Sequence, residues 1–129
     1  MSDKQELDLV LYPLRIGFAS DEDAFLTLLD GFQYEHPWVQ DQGYGCTHYI
    51  GYTRLDKKPL IIVCVDKARH KNSLDIAATV VHETMHVWRK ICGYIGEDNP
   101  GHETEAYTVE ALAKWFFSKA GLFEDMTKS

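Results

Sequence analysis

The pattern of apolar and polar residues predicts a helix and two strands in the first half of the chain. Ser20 precedes three acidic residues and an apolar stripe that Gly31 closes, which predicts a helix over about residues 21–30. Aromatic and β-branched residues over 46–54 and an apolar run over 60–66 predict two strands. A charged turn that ends in proline separates them, so we expect an antiparallel hairpin whose second strand is the more buried.

Two longer helices are predicted in the second half. The first has Ser73 as its N-cap, runs through about Cys92 and ends at Gly93. Apolar residues occupy nearly all of its sides, which is typical of a buried helix; they are Ile76, Ala77, Val80, Val81, Met85, Val87, Trp88 and Ile91. The second begins at Asn99-Pro100, with proline at its first position. The elements predict one α+β domain over residues 1–129, a small antiparallel sheet packed on the two helices.

Composition narrows the classes of function. The net charge of −7 argues against a nucleic-acid partner, because phosphate binding needs clustered Lys and Arg. The longest apolar run, residues 60–65, is far shorter than the roughly 18 residues of a membrane span. The first eight residues are acidic and polar rather than leader-like. With three cysteines, which cannot all pair within the chain, these features predict a soluble cytoplasmic protein with reduced thiols.

The central predicted helix carries the motif His82-Glu83-Thr84-Met85-His86. Residues four apart lie on one helical face, so both imidazoles can bind a single ion. Glu83 lies about 100° round the helix from His82, where it can act on a water molecule as a general base. Zn²⁺ suits two neutral imidazoles and one carboxylate. The motif therefore predicts zinc bound by His82 and His86, with Glu83 as the catalytic base.

The following helix opens with Gly101-His102-Glu103-Thr104-Glu105-Ala106-Tyr107. The HExxH motif followed by Glu103-x-Glu105-Ala106 resembles the gluzincin metallopeptidases, and is similar in particular to small ImmA/IrrE-type and phage-encoded zincin-like proteins. The resemblance covers roughly residues 76–117. It implies a minimal zincin-like domain that hydrolyses a protein or peptide substrate, with the strand over 46–54 as the sheet edge that binds the substrate.

The family pattern for this helix is Glu-x-x-(Ala/Ser)-(Asp/Asn). It implies that Glu103 binds zinc and that Ala106 lets the two helices approach. Tyr107 occupies the position at which the family has the Asp or Asn that supports a zinc-bound histidine. Tyr107 departs from the pattern, because a phenol lacks the carboxylate charge that raises the basicity of a ligand. Glu105, whose helical neighbours face the predicted core, therefore stays open as the third ligand. Tyr107 is also a candidate oxyanion donor, as are Tyr49 and His102.

Three alternatives remain at this stage. His102 follows Gly101 as a third histidine does in SprT-like proteases, although those usually carry basic DNA-binding parts. Cys46 lies on a predicted strand, as the cysteine ligand of peptide deformylases does, but the flanking Gly45 and Thr47 match that family's pattern poorly. The third alternative is not an enzyme: a zinc-stabilised binding or regulatory module that acts on a host protein.

Overall fold

The computed structural model describes residues 6–8, 14–40, 43–51, 58–97 and 99–122. Residues 52–57, which include the end of the first predicted strand and the first three residues of the predicted turn over 55–59, lie outside the described residues, as does Asp98. The elements, in chain order, are β1 (Glu6–Asp8), β2 (Arg15–Ala19), α1 (Glu22–Leu29), β3 (Gly45–Ile50), β4 (Leu60–Val65), a 3-10 turn (Lys67–Arg69), α2 (Ser73–Ile95) and α3 (His102–Lys119). They confirm the predicted α+β class.

The sheet has the order β1-β2-β4-β3, with β3 at one edge. β3 runs antiparallel to β4 with Gly45 opposite Val65, as the predicted hairpin requires. β2 runs parallel to β4 with Arg15 opposite Leu60. The prediction of a purely antiparallel sheet is therefore wrong. The sheet is mixed because α1 lies between β2 and the hairpin and carries the chain back across the sheet, which a parallel neighbour requires.

β4 is the centre of the molecule, and all six of its residues are buried. One face of the sheet, including Ile61 and Val63, packs on α2 and α3 through a cluster that contains Trp88 and Phe116. The other face packs on α1 around Phe25. A strand covered on both faces needs apolar residues at every position, which explains why the run over 60–65 shows no alternation.

α2 begins where predicted but ends later. The Asn72 side chain, rather than Ser73, caps it by accepting a hydrogen bond from the Asp75 N–H at 2.9 Å. The helix continues through Gly93 and ends at Gly96, whose φ of 74° is the left-handed conformation that glycine adopts most easily. It is not buried on nearly all sides, because Val81 and Met85 are 51% and 41% exposed. Among the described residues, no helix is long and apolar enough to cross a membrane.

Candidate metal centre

The two histidines of the motif lie side by side on the outer face of α2. Both are exposed, and their Nε2 atoms are 3.1 Å apart. Two imidazole nitrogens that bind one tetrahedral zinc ion at about 2.0–2.1 Å lie about 3.3 Å from each other. The two Nε2 atoms, which are within hydrogen-bond distance of each other, are therefore about as far apart as binding to one zinc ion requires.

Glu83 lies on the side of α2 that packs against β3. Only 5% of it is exposed. Thr47 Oγ1 donates a hydrogen bond of 2.6 Å to Glu83 Oε1. Glu83 Oε2 has no hydrogen-bond partner in the described part of the chain and is not fully buried, so it remains open to solvent. The carboxylate is thus held at one oxygen and available at the other.

A cavity of about 330 Å³ lies between α2 and the start of β3. His82 and Glu83 both line it, together with Tyr44, Gly45, Ala78 and Thr79. A second cavity of about 350 Å³ shares Tyr44, Ala78 and Thr79 with the first and extends past Asp75 to the 3-10 turn. His82 and Glu83 thus adjoin one cleft, which is the usual setting of a small-molecule or peptide site.

Gly45 allows α2 to lie close enough to β3 for the hydrogen bond between Thr47 and Glu83. A Cβ at position 45 would stand 2.8 Å from Thr79 Cγ2, 3.1 Å from the Cys64 carbonyl oxygen and 3.4 Å from Glu83 Cγ. The first two distances are shorter than a van der Waals contact, and the carbonyl oxygen belongs to the buried central strand. A residue larger than glycine would therefore push the Glu83 segment of α2 away from the sheet.

Glu105 does not face the histidines. Its Oε2 accepts a hydrogen bond of 2.7 Å from Nε1 of Trp88, a residue with no exposed surface. Trp88 lies about 240° round α2 from His82, so the carboxylate binds the side of the helix that packs on α3. Glu105 is part of the contact between the two helices.

The other candidates on α3 are exposed. His102 and Glu103 occupy its first turn at the surface. Tyr107 is 67% exposed and lies about 200° round α3 from Glu105, on the face away from α2. The structure does not bring Tyr107 to His82 or His86, where the family pattern would place a supporting residue.

Two imidazoles fit a zinc ion, but a complete ligand set is not assembled. In the part of the chain that the structure describes, no group of three or more His, Cys, Asp or Glu side chains is placed to hold a metal. The structure brings together His82, His86 and the neighbouring Glu83. It leaves Glu103 and Glu105, the two predicted third ligands, apart from them.

Cys46 has the surroundings of a structural thiol. It is half-buried on β3 directly opposite Cys64, which faces the α1 side of the sheet rather than α2. Burial, and to a smaller extent the Glu83 charge, raise the pKa of the Cys46 thiol. Because Cys46 lies on the face of the sheet away from α2, this geometry does not favour the deformylase alternative.

Two contacts of β3 were not anticipated from the sequence. Thr47 reaches Glu83, and the strand alternation that places Thr47 on the face opposite Cys46 was an available signal for it. His48 is buried: its Nε2–H donates to the Trp38 carbonyl oxygen at 2.9 Å, and the Tyr34 hydroxyl donates to its Nδ1 at 3.1 Å. This pair of bonds ties the loop before β3 to the strand, and no motif in the sequence indicates it.

Comparison with known proteins adds no family to these observations. No family model matches the chain, and neither a curated protein nor a solved structure is similar to it.

Proposed function

We propose that this protein is a zinc-dependent peptidase of the gluzincin type, in which His82 and His86 bind the metal and Glu83 is the general base. The observation that carries the proposal is the convergence of two exposed Nε2 atoms, 3.1 Å apart, next to a carboxylate with one free oxygen. A cavity of about 330 Å³ gives a substrate access to both.

The chemistry follows from the roles of these groups. Bound zinc supplies Lewis-acid chemistry, which polarises a carbonyl group and lowers the pKa of water. Glu83 Oε2 accepts the proton of the attacking water and returns it to the nitrogen of the leaving amine. Among the strands that the structure describes, β3 is at an edge of the sheet, where it can hydrogen-bond an extended peptide beside α2.

The third ligand is proposed to come from the first turn of α3. Glu105 is engaged by Trp88, whereas Glu103 is exposed and has no partner within the described residues. Glu103 is therefore the proposed ligand, in agreement with the family pattern. Its binding requires the first turn of α3 to approach the histidines.

Zinc content tests the site before any substrate is known. We expect about one zinc per chain in the purified protein by elemental analysis, and its loss in His86→Ala. Glu83→Gln should keep the zinc but cleave unfolded casein at least about 100-fold more slowly than the wild type, because the general base is removed. A wild-type protein that takes up no zinc after reconstitution would rule out the metallopeptidase, and full activity in Glu83→Gln would remove Glu83 as the base.

A second function is favoured by the openness of the site. The histidines share the outer face of α2 with the exposed side chains of Leu74, Val81 and Met85. Exposed apolar side chains next to a metal site are typical of a surface that binds another protein, so zinc bound there would stabilise a binding module. Such a module would lose stability on chelation and cleave nothing, whereas the peptidase would lose cleavage activity.

A further inference from the structure

We propose that Thr47 is a positioning residue, which holds the Glu83 carboxylate so that its free oxygen faces the cavity. The inference rests on the proposed hydrolysis and deepens it. Its basis is the 2.6 Å hydrogen bond from Thr47 Oγ1 to Glu83 Oε1, which joins the edge strand to the motif helix.

Two oxygen atoms of Glu83 could accept the proton of the Thr47 hydroxyl, and their distances show which one does. A threonine hydroxyl has one proton. Thr47 Oγ1 lies 2.6 Å from Glu83 Oε1 but 3.5 Å from the Glu83 backbone carbonyl oxygen. The proton therefore goes to the carboxylate, and a hydrogen bond to an ionised acceptor is shorter and stronger than one to a neutral group.

The donor is rigidly placed. Thr47 pairs with Val63 on β4, the fully buried central strand. Branching at its Cβ restricts the side chain to few rotamers. Gly45, two residues earlier, lets α2 approach closely enough for the contact to form. The position of the hydroxyl is thus set by the sheet rather than by a mobile loop.

The Glu83 side chain has no other partner to fix its carboxylate within the described residues. Without Thr47, Glu83 can rotate about its side-chain bonds and move Oε2 relative to the histidines. A displacement of about 1 Å can slow a reaction by about 100-fold. Thr47 acts on the rate through Glu83 and need not touch the substrate.

The experiment compares Thr47→Val, Thr47→Ser and, on the exposed side of α1, Thr27→Val in the full, zinc-loaded chain. The probe is a fluorogenic peptide copied from a site that the wild type cleaves in unfolded casein. We expect Thr47→Val to lower kcat by about 10- to 100-fold with zinc content and KM unchanged, since only the placement of the base is altered. Thr47→Ser, which restores the hydroxyl, should recover most of kcat, and Thr27→Val should match the wild type. Equal kcat for Thr47→Val and the wild type would overturn the proposal.

A second measurement separates this inference from the proposed function. A double-mutant cycle of Thr47→Val and Glu83→Ala, read as the free energy of unfolding of the zinc-free protein, detects the contact without any activity. Additive effects would mean that the two side chains do not interact, which overturns the proposal whatever the enzyme does. The cycle could instead show coupling while the wild-type protein cleaves neither casein nor the peptide. That result would give Thr47 a structural role only and would reject the proposed hydrolysis.

Discussion

The hydrogen bond between Glu105 and Trp88 gives a direct test of how α3 is held against α2. Glu105→Ala removes the acceptor of the Trp88 Nε1–H, which lies in a residue with no exposed surface. An unsatisfied buried donor costs about 1–3 kcal/mol. For a chain of this length, 1 kcal/mol changes Tm by about 3–5 °C. We therefore expect Glu105→Ala to unfold about 3–15 °C below the wild type.

The assay is urea and thermal unfolding in the presence of a chelator, so that only the protein contact is measured. Glu105→Gln keeps an acceptor for the indole and should lose much less stability than Glu105→Ala. Glu103→Ala, on the exposed first turn of α3, should change the unfolding free energy by less than about 0.5 kcal/mol. If Glu105→Ala were as stable as Glu103→Ala, the Trp88 hydrogen bond would not hold the two helices together and the reasoning would be refuted.

The same variants identify the third ligand when zinc is added. Removal of a metal ligand should weaken zinc binding far more than removal of a residue that only joins two helices. The proposal expects a large loss of zinc affinity in Glu103→Ala and a small one in Glu105→Gln. The opposite order would mean that Glu105 leaves Trp88 when zinc binds.

Two further predictions concern β3. Gly45→Ala should lower the free energy of unfolding in urea by about 1–3 kcal/mol, because its methyl group meets Thr79 and the Cys64 carbonyl oxygen. Gly93→Ala on α2, where the glycine has open space around it, should raise the free energy of unfolding by about 0.5–1 kcal/mol. Equal effects of the two substitutions would contradict the close approach of α2 to β3 at Gly45. Burial lowers the pKa of His48 below its usual 6.5, an effect larger than the opposing one of its bond to Trp38. The unfolded chain then binds the proton more readily, so the stability due to neutral His48 is complete above pH 6.5 and is lost as the pH falls through the lower folded pKa. The wild type should thus lose more unfolding free energy between pH 7.5 and 5 than His48→Gln does, and parallel pH profiles would disprove this assignment.

Local signals predicted the helices and the hairpin well. The acidic first turn after Ser20 places α1 within one residue of its predicted ends. The apolar run over 60–65 corresponds to β4. The four-residue spacing of His82 and His86 was sufficient to place both rings on one face of α2. Each of these features depends on neighbours in the sequence, which is why one sequence is sufficient to reveal it.

Features that depend on distant partners were not predicted. β2 is short and contains Arg15 and Gly17, and its pairing with β1 and β4, which are distant or short strands, makes it a strand. The outer face of α2 was expected to be buried, but nothing in the described structure covers Val81. Glu105 was a candidate ligand because it faces inward from α3, yet its direction is set by the Trp88 indole. Sequence periodicity shows that a side chain faces another element, but not which atom it meets there.

The position of β4 between β2 and β3 also sets the order in which the sheet can form. β3 ends at Ile50 and β4 begins at Leu60, so these strands close a short loop. β2 must pair across 45 residues, from Arg15 to Leu60, and a longer loop carries a larger entropic cost before its contacts form. The hairpin and α2, which together contain Thr47, Glu83 and both histidines, are continuous in the chain over residues 45–95. The candidate site is therefore built within one continuous segment, whose contact between Thr47 and Glu83 spans 36 residues, and the N-terminal strand contributes to the core rather than to the site.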